Sequence, residues 1–480
     1  MRILANYNFN EKLIDEIGGN FDLLYRVKKR NSCFAFAYQN DNGEIIALRD
    51  HLGIVPLYFR FEKGQPIFET SLNKIVREGD ELSFEGAKRF IAHKTPIFES
   101  LVREIKIVPP GSVVKIASEG KKIEIIYQFV FRRQNRLQFS LRRLLEQFDS
   151  LMAQATQRIL EKKEIALYLS GGADSGLVGV YLKKAGTKIN AYTVAPWGMK
   201  GSEVKYARLN AEAIGVDRHV FFPLETKDYE KNLEAMPEIF GTINGLATSI
   251  GIAGLWRNTD IGQQGQIFGS QNADTMFCSM PHQYYAYFLS WLPVFLKRKL
   301  HYSFRHKNAL ADYLDYCTHG FYDKAPDFFQ PFEEMNFDKI SFLAMAGMYL
   351  GHTPPDGAVL AAPAVNRGIY YANPFYDLDL IEWAMRVPLK CRFAFSSESK
   401  IKIALVKKIL KKTARKFLPD EIVFRKKGFI VPMQRDEETK LFSNSLPNSF
   451  SGINLEKTDE KLAGFILKNW CQRSGIKINL

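Results

Sequence analysis

Residues Glu164 to Leu182 read Glu-Ile-Ala-Leu-Tyr-Leu-Ser-Gly-Gly-Ala-Asp-Ser-Gly-Leu-Val-Gly-Val-Tyr-Leu. The apolar run Ile165 to Leu169 has the length of a buried strand, and Ser170-Gly171-Gly172 breaks it. From Asp174 onward the apolar positions fall at Leu177, Val178, Tyr181 and Leu182, which is helical spacing. A strand, a glycine turn and a helix start make an anion site. Glycine lets the backbone approach a phosphate, and the helix start points N–H groups and its dipole at it. Asp174 adds a carboxylate beside that anion, an arrangement that calls for Mg²⁺ between them. The G-x-x-x-x-G-K-[ST] pattern is absent, so this is not a Walker loop.

The six residues Ser170 to Ser175 resemble the pyrophosphate loop of the ATP pyrophosphatase superfamily, whose members split ATP into AMP and pyrophosphate while adenylating a substrate. The resemblance implies that Leu169, Ser170, Gly171, Gly172, Asp174 and Ser175 bind ATP. Thr193 and Val194 on the following strand, Ile189 to Val194, would join them, as would Gly269 after the strand Gly265 to Gly269.

A chain of 480 residues has room for two to four domains, and 46% hydrophobic with 13% aromatic residues describes a globular protein. The first ten residues lack the apolar core of a signal peptide, and windows such as Tyr284 to Leu296 are too short to span a bilayer. No membrane insertion is expected. The five cysteines, Cys33, Cys278, Cys317, Cys391 and Cys471, show no metal-ligand spacing, which predicts reduced thiols in a cytoplasm. The net charge of +14 gathers at Lys297 to Lys307 and Lys400 to Lys427. With no zinc-finger, KH or RNA-binding-sheet pattern beside them, these charges read as solvated helix faces and not as a nucleic-acid surface.

The front of the chain reads as β-rich. Cys33 to Tyr38 is a strand, Asp41-Asn42-Gly43 a hairpin turn, Ile45 to Leu48 the return strand and Arg49 to Tyr58 a third. The order F-A-F-A, R-D-x-x-G-x-x-P-L-Y, then P-P-G before a strand (Pro109 to Gly111) is similar to the glutaminase-type domain of asparagine synthetase B. That domain begins with a nucleophilic cysteine after the initiator methionine, whereas position 2 here is Arg2, and Cys33 reads as core. The resemblance implies a shortened, catalytically silent α+β glutaminase-like remnant over residues 1–130. An α/β synthetase domain with a parallel, adenine-nucleotide α-hydrolase-like sheet follows over residues 137–480.

Further motifs extend the resemblance. Ser202-Glu203 before the helix Lys205 to Gly215 resembles the family's D-E-x-x-Y-A motif, and His219 matches a family histidine that by residue type reads as structural. Ser270-Gln271-Asn272-Ala273-Asp274 stands where the family reads S-G-E-G-x-D, so Asp274 would join Asp174 as a Mg²⁺ ligand. Gln271 falls on the amine-side catalytic position but cannot take a proton. Residues 280 to 350 read as an aromatic helical insert or lid, and Ala372 replaces a family arginine. Lys400 to Lys412 reads as a helix with its lysines outward. Leu418 to Pro432 resembles the closing motif L-P-x-x-I-x-x-R-x-K-x-G-F-x-x-P with one residue missing, so either Lys426 or Lys427 takes the catalytic lysine's place.

Together these imply an ATP- and Mg²⁺-dependent ligase that joins a carboxylate to an amine through an acyl-adenylate. Lasso peptide cyclases and β-lactam synthetase are the expected likeness, with a peptide a candidate substrate and biosynthetic partner proteins possible in principle. Asparagine-synthetase-like amidation with free or partner-supplied ammonia, and a nucleotide-binding subunit without activity, stay open beside it.

Overall fold

The computed structural model describes residues 2–5, 20–21, 25, 33–117, 123–131, 136–196, 199, 202–279, 283, 339–349, 353–395, 404–425, 447–450, 453–455 and 458–478. Among these residues the front part carries eight strands: β1 (Arg2–Ala5), β2 (Ala35–Gln39), β3 (Ile45–Arg49), β4 (Tyr58–Glu62), β5 (Gln65–Glu69), β6 (Lys106–Ile107), β7 (Ser112–Ile116) and β8 (Ile123–Gln128). They form two antiparallel sheets, ordered β1-β2-β3-β7-β8 and β5-β4-β6. β2 and β3 flank the expected Asp41-Asn42-Gly43 turn, and Gly43 takes the positive φ, 77°, that the turn requires.

The third expected strand is corrected. Arg49 closes β3, Asp50 to Leu57 forms no strand, and the next strand begins at Tyr58. The reason is an internal polar lock. The Asp50 carboxylate accepts N–H bonds from Leu52, Ile54 and Val55 at 3.2, 2.9 and 3.0 Å. Buried Arg49 donates to the carbonyls of Val55 (2.8 Å), Ile97 (3.1 Å), Val108 (2.9 Å) and Gly53 (2.5 Å). These bonds satisfy loop groups that a strand would have given to a neighbour.

Behind this lies an all-parallel sheet of β9 (Glu164–Tyr168), β10 (Lys188–Pro196), β11 (Arg218–Leu224), β12 (Gln266–Phe268) and β13 (Tyr370–Ala372), ordered β11-β10-β9-β12-β13. β9, β10, β12 and β13 are mostly buried, as strands covered on both faces are, while β11 at one edge is more exposed. The amphipathic helix Leu141–Ile159, capped by Ser140, leads into β9, burying Leu144, Phe148, Met152 and Ile159. The chain runs outward through β10 and β11, then returns to the other side of β9 as β12. The crevice at the carboxyl ends of β9 and β12 is therefore the topological switch point, where such sheets bind ligands.

The two parts pack as neighbours. Asn73 donates to Pro237 O at 2.5 Å and accepts from Trp470 Nε1 at 2.8 Å, and Arg136 donates to the carbonyls of Met385 and Val387. No helix among the described residues is long and apolar enough to cross a membrane.

Candidate active site

β9 delivers the glycine turn to the crevice, and the helix Ala173–Lys184 leaves it with Asp174 in its first turn. The turn is braced from within. Ser175 Oγ accepts from Ser170 N at 3.1 Å and lies 3.0 Å from Ser170 Oγ, which accepts from Gly172 N at 3.2 Å. Asn210 Nδ2 donates to the carbonyls of Ser170 (2.8 Å) and Gly172 (3.0 Å). The Gly171 N–H donates to Glu203 Oε1 at 2.7 Å, and Arg425 donates to Glu203 Oε2 at 3.1 Å. A Cβ at position 171 would overlap the Arg425 guanidinium and lie 2.5 Å from Tyr206 Cβ, so only glycine fits there. The loop amides of Ser170, Gly171 and Gly172 are engaged by side chains. The first turn of the helix Ala173–Lys184 carries the orphan N–H groups common to every helix start.

Leu169 receives a hydrogen bond from Thr193 Oγ1 at its carbonyl, 2.5 Å, and Thr193 Oγ1 lies 2.9 Å from His219 Nε2. Burial, helped by the charge of Arg208, lowers His219 from the ordinary 6.5 to about 4, so the ring is neutral at pH 7. Val194 lies beside Leu169 and Thr193 at the crevice but turns its side chain against Gly251 of the helix Thr248–Asn258.

Across the crevice, β12 ends in Gly269 and the turn Ser270-Gln271-Asn272 before the short helix Ala273–Met276. Gln271 Oε1 accepts from the Tyr371 hydroxyl at 2.8 Å, and its carbonyl accepts from Asn373 at 3.0 Å. This pair closes over Gly269, where a Cβ would collide with the Tyr371 hydroxyl. Asp274 and Asp174, one hundred residues apart, meet at a single ammonium. Lys407 Nζ lies 2.5 Å from Asp174 Oδ2 and 2.7 Å from Asp274 Oδ1. Burial pulls the Lys407 ammonium down, but the charges of both aspartates outweigh it and hold it above the ordinary lysine value.

Lys407 was not singled out by its sequence. The expected helix over Lys400 to Lys412 begins only at Lys408, because Ala404–Leu405 pairs antiparallel with Ala394–Phe395 and Lys407 adopts left-handed backbone, φ 58°. That conformation turns an apparently solvated lysine into the crevice. Glu203 and Arg425 fall within motifs the sequence showed, but nothing there paired them, and Asn210 was undistinguished from an ordinary helix polar residue. Lys426, Lys427 and nearly all of the aromatic insert lie outside the described residues.

Two carboxylates that can share one cation fit Mg²⁺, which takes one or two protein carboxylates and completes its shell with phosphate oxygens and water. No group of three or more acidic, His or Cys side chains that could hold a metal occurs among the described residues, so a phosphate would have to complete the site. Asp174 and Asp274 are the residues that would hold it.

A family model described as asparagine synthase matches residues 147–446, and one described as a glutamine amidotransferase domain matches residues 22–128. Among solved structures, the NH3-dependent NAD synthetase from Campylobacter jejuni, in complex with the nitrate ion, is similar at 12% identity. It covers 41% of this chain and 93% of its own, with a TM-score of 0.21. No curated protein matches the chain.

Proposed function

The chain belongs to the asparagine synthase family, and we propose that it is an ATP-dependent ligase forming an amide through an acyl-adenylate, with release of AMP and pyrophosphate. Family membership supplies the coarse activity, ATP-dependent C–N ligation. The finer reading rests above all on one observation: Asp174 and Asp274 converge on one cation position at the carboxyl ends of adjacent parallel strands, beside a glycine turn and a helix start. Mg²⁺ held there would neutralise charge on the departing pyrophosphate. Lys407 lies within reach of the same oxygens, and the loop braces formed by Glu203, Arg425 and Asn210 keep the anion-facing helix start in place. A substrate carboxylate attacks the α-phosphorus, and an amine then displaces AMP from the acyl group.

The front part is proposed to be a silent glutaminase-like remnant. Cys33 is wholly buried, which closes its thiol to a glutamine side chain, and the loop after it is locked by Arg49 on backbone carbonyls. The amine therefore comes from the substrate itself or from a second substrate, in the manner of lasso cyclases and β-lactam synthetase. Mass spectrometry of the product, with isotopically labelled ammonium present, tests this. Cyclisation removes one water and leaves the product unlabelled. Incorporation of the label supports free-ammonia amidation instead.

A further inference from the structure

The turn after β12 fixes which way one side-chain amide points, with a consequence for the acid substrate that rests on the ligase function proposed above. Gln271 Oε1 lies 3.2 Å from the Ser270 backbone nitrogen and 2.8 Å from the Tyr371 hydroxyl. A backbone N–H can only donate, so the Gln271 atom opposite it is the carbonyl oxygen and not the nitrogen. Tyr371 is wholly buried, and burial, with neighbouring Tyr376 adding to it, keeps its hydroxyl protonated far above the ordinary phenol range. That hydroxyl donates to the same oxygen, so both lone pairs of Oε1 are used.

The backbone beside this amide is held as firmly. The Gln271 carbonyl accepts from Asn373 Nδ2 at 3.0 Å. Asn272 takes left-handed backbone, φ 78°, and its side chain is bonded at both ends. It donates to Phe375 O at 2.8 Å and accepts from Thr353 Oγ1 at 2.9 Å. Asp274, one of the two carboxylates on the cation position, follows directly in the helix Ala273–Met276. Gln271 is half-buried with its oxygen end inward, and its two Nε2 donors meet no partner among the described residues.

We infer that Gln271 determines specificity for the acid substrate, with Tyr371 positioning it, and that the group it receives is an amide carbonyl. A free α-ammonium brings only donors to this place and leaves both sets of N–H groups unpaired. An acylated nitrogen carries no charge and presents a carbonyl oxygen. The substrate class is therefore an acid whose nitrogen is already in an amide, such as a side-chain carboxylate within a peptide, and not a free amino acid. A glutamate at this position would hold the opposite preference, since it accepts from an ammonium and carries the complementary charge.

Acid-dependent ATP–pyrophosphate exchange reads this selectivity without any amine. The probes are L-aspartate and L-glutamate, short peptides that begin with either residue, and the N-acetyl form of each. Wild type should favour every N-acetyl acid over its free counterpart by at least about tenfold in kcat/KM. Gln271→Glu keeps an oxygen for the Ser270 and Tyr371 donors, so the turn is retained while the preference inverts. Tyr371→Phe should narrow the wild-type ratio, because one of the two bonds that orient the amide is lost. A merely structural role for either residue would lower both members of each pair alike and leave the ratio where it was. A wild-type preference for the free amino acids, or a ratio in Gln271→Glu within about threefold of wild type, overturns the assignment and leaves the ligase reading standing. Exchange with none of the acids in wild type removes the proposed function and this inference with it.

Discussion

Glu203 and Arg425, 222 residues apart in sequence, form a buried ion pair 3.1 Å long directly behind Gly171. Glu203 spends its other oxygen on the Gly171 amide, and Arg425 lies 4.0 Å from the centre of the Tyr206 ring. The pair ties the closing segment of the synthetase region to its opening loop.

Removing one partner leaves the other charge buried, which costs about 3–5 kcal/mol. Arg425→Met should therefore lower the melting temperature clearly and weaken ATP binding. The double variant Glu203→Gln with Arg425→Met should regain part of the stability, because no uncompensated charge remains. Thermal unfolding and nucleotide titration of the three proteins check this, and equal melting of all of them counts against a structural role for the pair.

Lys407 holds two carboxylates whose mutual repulsion it cancels. In Lys407→Met that repulsion returns, so Mg²⁺ without nucleotide should raise the melting temperature of the variant more than that of wild type. Differential scanning fluorimetry with and without Mg²⁺ reads the difference. An identical response in both proteins contradicts the shared cation position.

His219 has a folded value near 4 against an ordinary 6.5, so its contribution to stability is complete above pH 6.5. The unfolded chain takes up the proton first as pH falls, and the contribution is lost between about pH 6.5 and 4. His219→Gln should show a smaller drop in melting temperature between pH 7 and 5 than wild type. Equal drops would mean that the imidazole is not held neutral.

Much of this site could be read in the sequence because short, local patterns specify it. Ser170 to Ser175 needs only a strand, a turn and a helix start, and the apolar spacing shows all three. Asp274 was legible for the same reason, at the end of Gln266–Phe268. Lys407 was not, since its role comes from a left-handed backbone in a run of lysines that look alike. Asp50 to Leu57 misled in the opposite direction. Its apolar residues suggested a strand, but the carbonyls claimed by Arg49 and the amides claimed by Asp50 leave too few backbone groups for a ladder.

A lysine beside the α-phosphate should act on the transition state more than on bound ATP. Of Lys426→Ala and Lys427→Ala, one should lose at least about a hundredfold in rate with ATP affinity nearly kept, and the other should change little. Steady-state kinetics of both variants decide which. Two nearly wild-type enzymes would place the oxyanion contact on another group.

The central claim is that Asp174 and Asp274 direct cleavage of ATP at its α-phosphorus. Chromatography of the nucleotide products, with ATP, Mg²⁺ and a set of acids (L-aspartate, L-glutamate, their N-acetyl forms and short acidic peptides), tests it directly. Wild type should release AMP and pyrophosphate in equal amounts only when an acid is present, and Asp174→Asn and Asp274→Asn should each abolish that release while melting near wild type. Formation of ADP and phosphate, or near wild-type AMP release by either variant, would contradict the account.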